Sequence, residues 1–158
     1  MNRKYRISIA AILATVLVLT AVGAWAAPKF QGTVPPPATS GTGNSTTPIN
    51  LGTVEVSTNC AACSMTATVV PNPGSSAPAP TGKQFLGTAF ELSVVGTGPF
   101  NISFAYPTAF ADKGAKIYKL STAVTPNVWV EVPSVVNADG TISADVTEGG
   151  IYTLIGNS

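Results

Sequence analysis

From residue 84 onward, apolar and polar side chains alternate along the chain. That is the period of a strand with one face in a core. Phe90, Leu92 and Val94 fall on one face, with Glu91 and Ser93 on the other. Phe100, Ile102, Phe104 and Tyr106 alternate with Asn101, Ser103 and Ala105. Val128, Val130 and Val132 alternate with Trp129 and Glu131, and Ile142, Ala144 and Val146 with Ser143 and Asp145. Ala115 to Leu120 and Ile151 to Ile155 are apolar-rich strands with weaker alternation. Further upstream, Val54 and Val56 alternate with Thr53, Glu55 and Ser57, and Met65 to Val70 keep the same habit.

Turn formers punctuate these runs: Gly96-Thr97-Gly98-Pro99, Asp112-Lys113-Gly114, Thr125-Pro126-Asn127, Asn137-Ala138-Asp139-Gly140 and Glu148-Gly149-Gly150. Asp139-Gly140, between Val136 and Ile142, is the strongest hairpin signal, because that pair tolerates positive φ. Seven or eight short strands at this spacing predict an all-β sandwich or barrel. The roughly 108 residues from Leu51 onward are enough to bury one core. No helical stripe is visible after the first 26 residues.

Those 26 residues follow a different pattern. Asn2-Arg3-Lys4-Tyr5-Arg6 is a basic start, Ile7 to Gly23 is an almost unbroken apolar run, and Ala24-Trp25-Ala26 has the small residues of a cleavage site. Residues 1–26 therefore read as a secretory signal peptide. The same apolar run is long enough for an uncleaved membrane anchor, which needs about 20 residues. Either outcome places the domain outside the cytoplasm, secreted or at the cell surface.

Residues 27–50 are a Pro/Gly/Ser/Thr tract and read as a flexible linker, too poor in apolar surface to fold. A second loose stretch at 71–83 reads as a long loop within one β-sandwich domain spanning 51–158, since a hairpin of residues 51–70 is too small to stand alone. Asn44-Ser45-Thr46 and Asn101-Ile102-Ser103 match the N-glycosylation acceptor pattern.

Charge narrows the partners. Without the leader the chain keeps five lysines against seven acidic residues, a net of −2. There is no basic patch to neutralise phosphates, so nucleic acid is not an expected partner. Membrane contact is expected only through an uncleaved leader.

Chemistry is sparse. The chain contains no histidine, which removes Ser-His-Asp and Cys-His catalysis and most catalytic metal sites. No S-x-x-K spacing supports a Ser–Lys pair. Glu91, Glu131, Asp145 and Glu148 fall on outward faces or turns, where a solvated carboxylate is the default. Asn137-Ala138-Asp139-Gly140 with Asp145 echoes a calcium loop but has too few acids for six to eight oxygen ligands. No cofactor is expected.

Cys60-Ala61-Ala62-Cys63 has the C-x-x-C spacing of thiol oxidoreductases. Its flanks read as strands rather than a strand and a helix. The favoured reading is a structural disulfide across or beside a hairpin turn, in an oxidising compartment. A redox dithiol, a metal site and a bond to another subunit are the alternatives. Trp129 is the one Trp after the leader. It lies opposite the Val128, Val130 and Val132 face, covered by a loop or by Tyr118 or Tyr152, or else presented to a ligand such as a sugar ring together with those tyrosines.

Lys116-Ile117-Tyr118-Lys119-Leu120, Trp129-Val130-Glu131-Val132-Pro133, Asp139-Gly140-Thr141-Ile142 and Val146-Thr147-Glu148-Gly149-Gly150-Ile151-Tyr152-Thr153-Leu154 together resemble a β-module at the ends of bacterial surface and secreted proteins. The resemblance spans about the last 45 residues. It implies an immunoglobulin-like accessory or surface domain and carries no activity.

The expectation is thus a non-enzymatic β-sandwich for adhesion, envelope association or assembly. Its partner would be an unknown protein or glycan at the cell surface, or a further copy paired through edge strands. The alternatives are a carbohydrate-binding module using Trp129 and a thiol–disulfide protein using Cys60 and Cys63.

Overall fold

The computed structural model describes residues 38–106 and 108–158. The leader and residues 27–37 of the expected linker lie outside the described residues. Within them the chain forms twelve strands and two short 3-10 turns. One antiparallel sheet contains β1 (Ser40–Asn44), β4 (Ser64–Val70), β5 (Lys83–Phe85), β6 (Ala89–Val95), β8 (Lys116–Ser121), β9 (Val128–Val132) and β12 (Gly150–Asn157). The other contains β2 (Ile49–Asn50), β3 (Val54–Thr58), β7 (Phe100–Ala105), β10 (Val135–Val136) and β11 (Thr141–Val146). The first runs β1-β4-β6-β12-β8-β9, with β5 added to β12, and the second β10-β11-β7-β3-β2. The two pack face to face as a sandwich.

The alternation explains the packing. Phe90 and Leu92 of β6, Phe100, Ile102 and Phe104 of β7, Val54 and Val56 of β3, and Ile142 and Ala144 of β11 all point into one core. Phe90 sits at its centre, 5.5 Å from the Phe104 ring and 5.9 Å from Tyr152. Each such side chain contributes about 1.5–3 kcal/mol by leaving water. The Asp139-Gly140 turn joins β10 to β11, with Val136 opposite Ile142 and Gly140 at φ 80°.

The weak alternation of β8 and β12 also has a cause. These strands are covered on both faces, as strands with no solvated side must be. Ile117, Tyr152 and Leu154 enter the main core. Tyr118, Leu120 and Ile155 enter a second, smaller cluster on the outer face of the first sheet, with Trp129 and Ala77.

Two expectations need correction. Part of the stretch read as linker is strand: β1 pairs with β4 from Ser40↔Thr68 to Asn44↔Ser64, and β2 pairs with β3. Composition misled because Gly41 and Gly43 serve packing here. A Cβ on Gly41 would lie 2.6 Å from Ile49 Cγ2, and one on Gly43 2.8 Å from Ile49 Cγ1. The bare backbone of β1 lets Ile49 fold over it, and Ile49 is buried.

The faces of β9 also differ. The valine face was expected in the core, yet Val128 is 42% exposed and Val130 50% exposed. Only Val132 packs against the main core. β9 is the last strand of its sheet, and β10, the facing edge of the other, is two residues long. The second sheet therefore ends before it covers Val128 and Val130.

Candidate functional site

Trp129 is buried at 6% exposure, and its Nε1–H donates to the Ala77 carbonyl oxygen at 3.0 Å. The loop carrying Ala77 runs from the end of β4 to β5, and its 3-10 turn, Pro73–Ser75, leads directly into Ala77. Phe85 meets the Trp129 ring edge-on at 5.6 Å. The proposed ligand contacts Trp129, Tyr118 and Tyr152 are therefore corrected: Tyr118 is 4% and Tyr152 1% exposed. All three aromatic bodies fill cores, and Trp129 spends its one donor inside the protein. The tyrosines do not lie together, because Tyr118 belongs to the outer cluster and Tyr152 to the main core.

Cys60 and Cys63 form a disulfide, with Cα atoms 5.2 Å apart. It does not cross a hairpin, since β3 and β4 belong to different sheets. It closes the turn where the chain passes between layers. The β6–β7 connection passes between the same layers beside it, and its glycines make room for sulfur. A Cβ on Gly96 would lie 2.6 Å from Cys63 Sγ, and one on Gly98 2.6 Å from Cys60 Cβ. Thr58 ties the two connections together: its hydroxyl donates to the Pro99 carbonyl and accepts from the Cys60 N–H. The flanks of the C-x-x-C are both strands, so the helix N-terminus that lowers a reactive thiol's pKa is lacking at this bond.

Of the four candidate carboxylates, Glu91 and Glu148 line the same groove beside β9. Asp145 accepts from Asn101 Nδ2 at 2.9 Å, Glu131 from the Tyr118 hydroxyl at 3.3 Å, and Glu148 pairs with Lys119 at 2.6 Å. Asp139 Oδ1 accepts from the Thr141 N–H and hydroxyl, an Asx turn in place of the calcium-loop echo.

The groove beside β9 has a volume of about 590 Å³ and is lined in part by Glu91, Lys119, Ser121, Val130, Glu148 and Gly150. Lys119 Nζ lies 5.9 Å from the centre of the Tyr152 ring, and the Tyr152 hydroxyl donates to the Glu148 carbonyl at 2.7 Å. Burial, then the Glu148 charge, pushes the Tyr152 phenol up to about 12. The hydrogen bond from Lys119, then its charge, lowers Glu148. Both residues of the ion pair are thus engaged with each other.

Continuous with this groove is an apolar edge. Val128 and Val130 on β9 and Val135 and Val136 on β10 are all exposed. The two strands are joined by Pro133-Ser134 and end their respective sheets on the same side of the sandwich. The alternation of β9 was legible in the sequence. Its place at an edge was not, because strand order follows from long-range pairing.

Comparison of the chain with protein-family models, with curated proteins and with solved structures finds no match in any of the three.

Proposed function

We propose that the chain is a non-enzymatic, extracytoplasmic module of immunoglobulin-like type that assembles with a second copy of itself through the β9–β10 edge. The observation that carries this reading is the exposed valine edge. A free edge strand presents unpaired N–H and C=O groups, and proteins ordinarily blunt it with lysines or inward charges. β9 carries no lysine and one charge, Glu131. Antiparallel pairing of two β9 strands about a two-fold axis at Val130 sets Val130 against Val130, Val128 against Val132, and Trp129 against Glu131. No like charges meet, and the valines of both copies form one stripe. Such an isologous contact closes as a dimer, and each apolar cross-strand pair contributes about 0.2–1 kcal/mol.

Export is supported by the leader pattern and by the disulfide, which persists in oxidising compartments. The immunoglobulin-like reading is supported by consecutive strands that change sheet, as in β3 to β4 and β6 to β7. Surface tethering is the form the reading takes if the leader stays uncleaved.

Sedimentation of the wild-type chain and of Val130→Glu over a range of concentrations tests the reading. A glutamate at 130 faces Lys119 within its own chain but faces a second glutamate across the two-fold axis. Concentration-dependent association in the wild type, lost in V130E, is expected. A wild type that stays monomeric at every concentration overturns it.

A further inference from the structure

Two N-glycosylation acceptor patterns occur in the chain, and the fold separates them. Asn44 ends β1, an edge strand, and is exposed, as is Thr46. The Asn44-Ser45-Thr46-Thr47 segment is a tight turn, with backbone hydrogen bonds in both directions between Asn44 and Thr47. Inside it the Thr46 hydroxyl donates to Asn44 Oδ1 at 2.8 Å, and the Thr46 and Thr47 N–H groups donate to the same oxygen at 2.9 and 3.1 Å. Three donors therefore converge on the amide oxygen, while Asn44 Nδ2 makes no hydrogen bond among the described residues.

Asn101 is the opposite case. It lies in β7, paired with Asp145 of β11 on one side and Ser57 of β3 on the other. Its Nδ2 already donates to Asp145 Oδ1. Ile102, the middle residue of that pattern, is fully buried.

We infer that Asn44 is a modification site, the acceptor for an N-linked oligosaccharide on the folded domain, and that Asn101 is not. The donor is an oligosaccharide on a polyprenyl diphosphate. Asn44 Nδ2 forms the bond to the anomeric carbon of the first sugar, the carbon–oxygen bond to the diphosphate breaks, Nδ2 gives up one proton to the transferase, and the lipid diphosphate leaves. No electrons are gained or lost. The hydroxyl two residues on is what the acceptor pattern demands, and here it already holds the side-chain amide by its oxygen. A glycan at this place also covers the end of β1, the edge across the sandwich from β9, so that one edge is shielded while the other stays open. The inference stands independently of pairing through β9.

The test is transfer in vitro. Purified, folded full-length chain is incubated with an oligosaccharyltransferase and its lipid-linked oligosaccharide, and intact mass and peptide mapping locate the sugar. One glycan on the wild type, lost in Asn44→Gln and Thr46→Ala and retained in Asn101→Gln, is expected. Thr46→Ser, which keeps the hydroxyl, restores transfer and separates its role from a loss of turn structure. An unmodified wild type, or a glycan that persists in Asn44→Gln and vanishes in Asn101→Gln, overturns the inference.

Discussion

The indole N–H of Trp129 donates to the carbonyl of Ala77, 52 residues earlier in the chain, at 3.0 Å. That bond fastens the loop between β4 and β5 to the outer face of the first sheet. Trp129→Ala is expected to destabilise the domain by about 3–5 kcal/mol and to open residues 71–83 to proteolysis. Trp129→Phe keeps much of the packing but leaves the Ala77 carbonyl unpaired, at a cost of about 1–3 kcal/mol. Urea denaturation and limited proteolysis of both variants check this.

Thr153 makes the opposite prediction. It is fully buried in β12, and its hydroxyl has no hydrogen-bond partner among the described residues. Its neighbour across the ladder is Tyr118, in the apolar outer cluster. Thr153→Val removes an unpaired polar atom and keeps the β-branched shape, so it is expected to stabilise by about 1 kcal/mol. A raised urea midpoint with unchanged slope is the expected reading.

Tyr152 sets an alkaline limit. Its phenol is pushed up to about 12 from an ordinary 10.0. Above pH 10 the unfolded chain releases a proton that the folded phenol keeps until about pH 12. This contribution is complete below pH 10 and is lost as pH rises through 12. Tyr152→Phe lacks that loss, but it gives up the bond to the Glu148 carbonyl, costing about 1 kcal/mol at neutral pH. Unfolding midpoints of the two proteins between pH 8 and 12 should therefore converge as the pH rises.

The disulfide and its neighbouring turn are coupled. Opening so short a loop costs about 2 kcal/mol on the chain-entropy relation. Gly96→Ala meets Cys63 Sγ at 2.6 Å and sits at φ 104°, so it is expected to destabilise strongly. Part of that cost comes from the sulfur. A double-mutant cycle with Cys60→Ala/Cys63→Ala is expected to show Gly96→Ala costing less without the bridge.

Strand existence and core faces were readable where one face is wet and the other dry, as in β6, β7 and β11. They were less readable where packing depends on distant partners. Gly41 and Gly43 look like linker residues until Ile49 lies across them. Val128 and Val130 look like core residues until the second sheet stops short. For Trp129, period two placed the ring away from the main core, while its partner Ala77 lies in a stretch whose Pro and Ser content signals only a loop. The disulfide partners were plain from spacing, but not that their turn joins two layers.

The central claim is that two copies pair through β9 with Val130 on the two-fold axis. Directly opposed residues of antiparallel strands have Cα atoms about 4.5–5.5 Å apart, a distance a disulfide spans. Mild oxidation of Val130→Cys, read on a non-reducing gel beside Val95→Cys as an exposed control, measures this directly. The account predicts a covalent dimer for Val130→Cys and a monomer for Val95→Cys. Monomers from both, or equal dimer from both, would contradict it.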